Sequence, residues 1–259
     1  MAPRSKTPWE ADFWKIELQF AERDVYVIGG GPSIAQCDLS VLADESVIAV
    51  NSSYKAVIDA GIEGGVLYFT DTGWWNSHRD DLIERWLPRE IVTMSRTAKR
   101  EQPVLVRRIQ HAVPSASFPE NVYGSSVVKH GNSSGHTAVA LAVAMGAKRV
   151  ILLGFDMRLV DGKSHFHTDY GDAISPGVIE GWIEGFNGWN MAANDIGVSI
   201  VNATPGSALD EFDMLNFHGY APVVEEPPAP IEPITTKDFP VEPQRMSFTG
   251  GFSLWRHRK

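Results

Sequence analysis

A single cysteine, Cys37, excludes an intramolecular disulfide, so nothing in the chain demands an oxidising compartment. Cys37 reads as a small core residue rather than a nucleophile. No apolar run follows the charges of Met1 to Pro8, so no signal peptide is expected. No apolar stretch reaches membrane-spanning length either. The expectation is a cytoplasmic protein without a membrane partner. An excess of positive charge is also missing. Lys and Arg total 23 against 32 Asp and Glu, a formal net charge of -9. Phosphate backbones must be met by Lys or Arg, so this balance argues against nucleic acid as a partner. A local patch, with Arg96, Lys99, Arg100, Arg107 and Arg108, leaves that question open.

What is present suits a sizeable core: 43% of the 259 residues are apolar. Short β-branched runs at Asp24–Ile28, Ser46–Val50, Val66–Phe69, Glu90–Met94, Lys148–Leu153 and Val198–Val201 read as strands. Val104–Ile109 is a further candidate strand. Helical stretches fall between them: Ser52–Ala60, Trp74–Trp86, the Ala-rich Ser134–Met145, Gly177–Ile196 and a short one at Ser207–Leu215. The alternation predicts an α/β fold, a single Rossmann-like, mostly parallel sheet with helices on both faces. Three segments are expected: a lead-in over 1–23, docked through Trp9, Phe13, Trp14 and Phe20; a nucleotide-binding domain over 24–220; and a Pro-rich tail over 221–259 that cannot build a core.

Ligands of open parallel sheets bind beyond the carboxyl ends of the strands. Here those ends carry Gly29, Gly30, Gly31, Pro32 and Ser33, then Asn51, then Thr70 and Asp71, then Gly154, Phe155 and Asp156, and last Asn202 and Thr204. The glycines allow positive φ and close approach of a phosphate to backbone amides, or make a tight turn and nothing more. The stretch lacks both the dinucleotide fingerprint and the P-loop lysine. Ser133, Ser134 and Gly135 open the Ala-rich helix; one serine caps it, and the same amides can bind phosphate. The loop Asp161–Tyr170 holds His165 and His167. They are candidates for general acid or base, for metal ligation with Asp156 or Asp169, or for simple solvated loop residues. Trp74, Trp75, Trp182 and Trp189 fit core packing better than stacking on a base or sugar.

In their order, Ile28–Ile34, Asn51, Ser134–Gly135, Ala138, Ala142, Gly146, Ile151–Asp156 and Asn202–Leu209 resemble a family. It contains bacterial sialyltransferases that use CMP-sialic acid, archaeal hydroxymethylpterin diphosphokinase-like proteins and phage-encoded relatives. The resemblance runs over about residues 24–215. It implies a nucleotide held by these positions and a general-base histidine, with His167 the nearest match and His165 next. Arg158 stands near the place of a tyrosine that serves the phosphate in those enzymes. The segment between Asp156 and the last strand is also shorter here, so donor and acceptor identities do not carry over.

The leading expectation is a transferase for a nucleotide-activated donor, preferably a nucleotide-sugar glycosyltransferase with no bound metal. His167 or His165 would take the acceptor proton, and Arg158 or Lys163 would balance phosphate charge. One alternative is a diphosphokinase using ATP and Mg²⁺ through Asp71, Asp156 or Asp161. The other is a non-catalytic phage or host interaction protein on the same scaffold.

Overall fold

The computed structural model describes residues 13–95, 105–111, 118, 122–171 and 174–220. Trp9, Arg96, Lys99, Arg100, Pro103, Pro114, Pro119 and the stretch from Ala221 onward lie outside them.

The strands, in chain order, are β1 (Asp24–Ile28), β2 (Ser46–Val50), β3 (Val66–Phe69), β4 (Glu90–Thr93), β5 (Val106–Arg108), β6 (Gln110–His111), β7 (Val127–Val128), β8 (Arg149–Leu153), β9 (Ser199–Asn202) and β10 (Asp213–Met214). Eight of them form one sheet in the order β10-β9-β8-β1-β2-β3-β4-β5, and every neighbouring pair is parallel. β6 and β7 make a small separate parallel pair.

Alternate residues of each strand enter different cores. Val25, Val27, Ile48, Val50, Val150 and Leu152 face one layer, and Ile28, Val47, Ala49, Ile151 and Leu153 face the other. Both faces are therefore covered, which is why the strands read as unbroken apolar runs. The first layer is built on α3 (Ser134–Ala144), whose residues from Ala138 to Ala144 are fully buried. A helix apolar on all sides belongs in the interior. Phe186 and Trp189 complete this layer, with Ile16 and Phe20 of the lead-in; Trp14 packs at its edge. The second layer is α1 (Tyr54–Asp59) and α2 (Thr72–Arg85), with Trp75 stacked on Phe69 and Trp74 tilted against it.

Two helix expectations need correction. Gly177–Ile196 is two helices, α4 (Pro176–Glu184) and α5 (Trp189–Asn194). Gly188 breaks the run at φ +77, in the left-handed region. The expected helix at Ser207–Leu215 is absent. Its backbone groups are bonded elsewhere: Ala208 N donates to Asp156 O and Leu209 O accepts from Asn202 Nδ2. The segment ends in β10.

Candidate active site

The chain steps from β1 outward through β2, β3, β4 and β5, and then returns to place β8 on the other side of β1. The strand order reverses between β1 and β8. A crevice forms where the connections part in opposite directions, outside the carboxyl ends of the strands. A cavity of about 460 Å³ lies there. Its lining includes Gly29, Gly30, Gly31, Asn51, Thr70, Asp71, Ser133, Ser134, Gly135, Gly154, Phe155, Asp156, Arg158, His165 and His167. These carboxyl-end residues were expected together, and the fold brings them together.

Pro32, Ser33, Asn202, Thr204 and Lys163 do not line it. Asn202 is buried, donating to Leu209 O and accepting from Thr204 N, so it closes the β9 corner. Pro32 is buried at the first turn of the short 3₁₀ helix Pro32–Gln36. Ser33 donates its backbone N–H (3.1 Å) and hydroxyl (2.9 Å) to the two oxygens of Asp156.

That pairing explains the glycine turn, and differently from expectation. None of the three glycines has a positive φ. They are needed for close approach. A Cβ on Gly29 would stand 2.6 Å from Gly154 O, and one on Gly31 would overlap the Asp156 carboxylate. Gly30 is the one that faces the site: a Cβ there would meet His165 Cδ2 at 3.0 Å and His167 Nε2 at 3.4 Å. Asp156 is thus first a clamp on the turn. Burial raises its carboxyl pKa, partly offset by the Ser33 bonds.

Asn51 follows β2 at φ +49, a conformation asparagine tolerates. Its Nδ2 donates to Tyr170 Oη at 2.9 Å. Its Oδ1 is buried with no protein donor, an acceptor available to a ligand. Ser133 caps α3, leaving other amides of that first turn toward the cavity. Arg158, exposed, donates from Nε to Gly206 O at 2.6 Å.

The histidine loop is held from both ends. Phe166 N donates to Gly30 O at 3.0 Å. Asp169 accepts Lys55 Nζ at 2.6 and 2.7 Å, and His78 Nε2 lies 3.1 Å from its Oδ2. Burial alone would raise the Asp169 carboxyl; the hydrogen bonds from Lys55 and Ser52 and the neighbouring positive charge together outweigh it and hold the pKa at about 2. Burial and the neighbouring His165 push His167 down to about 4, and burial lowers His165. Both imidazoles are therefore neutral at neutral pH, as a proton acceptor must be.

The acids assigned to Mg²⁺ are partly committed to other partners or lie away from the cavity. Both Asp156 oxygens are engaged by Ser33, Asp71 Oδ1 caps α2 at Trp74 N, and Asp161 lies outside the lining. Among the described residues no group of three or more His, Cys, Asp or Glu converges as a metal site.

Sequence reasoning missed Lys55 and His78, because nothing local in α1 or α2 marks them as partners of a distant loop. It also missed His130, Met157, Ile174 and Ile179 in the lining. Trp182 lines the cavity, while Trp74, Trp75 and Trp189 are core. Cys37 is half-buried, its thiol pushed by burial to about 11.

The family described as 6-hydroxymethylpterin diphosphokinase MptE-like matches residues 6–162, more than half of the chain. The chain belongs to the MptE-like family. This MptE-like chain shares its fold with a MAf glycosyltransferase from Magnetospirillum magneticum AMB-1. The TM-score is 0.56 at 14% identity, over 79% of this chain and 35% of that one. It therefore spans about a third of that enzyme's length. It is also similar to the sialyltransferase CstII from Campylobacter jejuni, solved with the substrate analogue cytidine-5'-monophosphate. There the TM-score is 0.50 at 15% identity, over 79% and 89% of the two chains. The resemblance drawn from the glycine turn and strand ends is borne out in family and fold, and the named relatives are transferases. No curated protein matches the chain. Among the described residues no helix is long and apolar enough to cross a membrane.

Proposed function

We propose that this MptE-like chain is a transferase that binds a nucleotide-activated donor at the sheet's switch point, preferably as a nucleotide-sugar glycosyltransferase. One observation carries the reading. A cavity at the strand-order reversal joins the first turn of α3, the unpartnered Asn51 Oδ1 and two neutral histidines. The α3 amides at Ser133–Gly135 suit a phosphate. Asn51 Oδ1 accepts from a base amine or a sugar hydroxyl. Phe155 and Trp182 offer rings to the flat or apolar part of the donor.

In the transfer, the acceptor oxygen bonds the anomeric carbon as the bond from that carbon to the phosphate oxygen breaks. The electron pair leaves with the phosphate, and the acceptor proton passes to a histidine of the 165–167 pair. Arg158 balances the charge gathering on the leaving phosphate.

The diphosphokinase reading is favoured by the family description. It requires ATP with Mg²⁺, and the engaged acids of the cavity weigh against it. A thermal-shift panel of CMP, UDP, GDP and ATP, each with and without Mg²⁺, separates the readings. Saturating nucleotide should raise Tm by about 5 °C or more. A shift by CMP, UDP or GDP without metal supports the donor reading, and one confined to Mg-ATP replaces it with the kinase. A flat panel favours a non-catalytic binding protein.

A further inference from the structure

His165 and His167 share one loop and one cavity, but their hydrogen bonds differ. The backbone N–H of Asp169 donates to His167 Nδ1 at 3.3 Å. An imidazole nitrogen that accepts a hydrogen bond carries a lone pair, so the ring proton of neutral His167 sits on Nε2. The opposite tautomer would need Nδ1–H to bond the Asp169 carboxylate. Its nearest oxygen is 3.7 Å away, beyond hydrogen-bond length. That oxygen also lies 2.7 Å from Lys55 Nζ and 3.1 Å from His78 Nε2. Flipping the tautomer would additionally leave the Asp169 N–H without its acceptor.

His165 is not fixed in this way. Its Nδ1 lies 3.0 Å from Ser164 Oγ, a hydroxyl able to donate or accept. Ser164 Oγ already accepts the Ile174 N–H at 3.2 Å and keeps a second lone pair for a His165 Nδ1–H. His165 can therefore hold its proton on Nδ1 and turn a bare Nε2 toward the cavity. A Cβ on Gly30 would lie 3.4 Å from His167 Nε2 and 3.8 Å from His165 Nε2, so both atoms face the glycine turn.

We infer that the pair is divided in function: His167 is a fixed donor, presenting Nε2–H to an anionic oxygen of the donor nucleotide, and His165 is the proton acceptor. This reverses the order implied by the family resemblance. It rests on the proposed nucleotide-donor reading for its ligand, but not for its tautomer. Asp169 is the positioning residue. Its backbone sets the His167 proton, while Lys55 and His78 hold its carboxylate away from Nδ1. In the transfer, the acceptor proton goes to His165 Nε2, and the phosphate oxygen that receives the electron pair is met by His167 Nε2–H.

Two-bond ¹H–¹⁵N imidazole spectra of the full chain read the tautomer directly in the absence of any ligand. In these spectra His165→Gln and His167→Gln assign the signals. The Nε2–H tautomer is expected for His167 near neutral pH; Nδ1–H overturns the proposal. Titration with CMP supplies the second readout. His167→Ala should weaken CMP binding about tenfold or more, as expected for a lost hydrogen bond to a charged oxygen. His167→Gln should recover most of that loss, because its amide donates from the Nε2 position but is no base. A Gln variant as weak as the Ala variant overturns the donor role. Failure of CMP, UDP and GDP alike to bind the wild-type chain would instead sink the nucleotide reading, while the spectra still decide the tautomer.

Discussion

The two carboxylate oxygens of Asp156 each accept a hydrogen bond from Ser33, one from its backbone N–H and one from its hydroxyl. Two strand ends that are neighbours in the sheet but 123 residues apart in the chain are locked together by this one pair. Asp156 is only 2% exposed, so loss of its partners is not repaired by water. Asp156→Ala leaves the Ser33 N–H without its acceptor and opens a hole beside Gly31. It should cost about 2–4 kcal/mol. Ser33→Ala removes one of the two bonds and should cost about 1–2 kcal/mol. Urea unfolding at neutral pH measures both; equal midpoints for Asp156→Ala and wild type would show that the clamp is idle.

The glycines should separate by the same geometry. Gly31→Ala forces a methyl into the Asp156 carboxylate, and the turn must move to relieve it. A loss of about 2–3 kcal/mol is expected. Gly30→Ala meets imidazoles at 3.0 and 3.4 Å, which can yield by tenths of an ångström, so its fold cost should be under about 1 kcal/mol. Its effect should instead fall on nucleotide binding, read by CMP titration. A Gly30→Ala chain that is badly destabilised yet binds normally would invert this assignment.

The sheet was legible because both of its faces are buried: continuous apolar runs such as Val150–Leu153 admit few other readings. The strand ends that make the cavity followed from that sheet. Three things did not follow. The break at Gly188 was masked by apolar residues at helical spacing on both sides, and glycine alone does not announce positive φ. Asn202 and Ser33 look like ligand contacts in sequence because polar residues after strands serve ligands and corners equally well. Lys55 and His78 lie more than ninety positions from Asp169, and only the folded chain pairs them with it.

Acid should weaken the fold before it unfolds it. His136 and His167 are held down to about 4 by burial, and His165 is lowered for the same reason. In the unfolded chain these groups titrate near about 6.5. Between those values the unfolded state binds protons that the folded state refuses, so stability falls as pH drops through the window. Asp156 works in the opposite sense, its raised carboxyl pKa favouring the fold as it protonates, but only nearer the carboxylate range. Scanning calorimetry should therefore show Tm falling by about 5 °C or more between about pH 7 and about pH 5. A level profile would mean that the three histidines are solvated.

Lys55 offers the cleanest test of how the loop is held. Its ammonium bonds both Asp169 oxygens, and that carboxylate is 12% exposed, so the pair is screened less than a surface ion pair. Lys55→Met keeps the length and packing of the stem and removes the charge. The Asp169 carboxyl then loses the largest of the interactions that offset its burial, and its pKa should rise from about 2 toward the ordinary carboxylate range. His78 Nε2 at 3.1 Å and His167 Nδ1 at 3.7 Å would remain beside Oδ2. The rest of the molecule keeps its core, so global stability should drop by only about 1–2 kcal/mol. The loop should open locally far more often, because the Phe166–Gly30 backbone bond is left to hold the histidine segment with little help. Limited proteolysis within 157–171 should quicken about tenfold while cleavage of the sheet stays at the wild-type rate. Unchanged protection in Lys55→Met would assign the loop's closure to the Gly30 contact and remove Lys55 from the site.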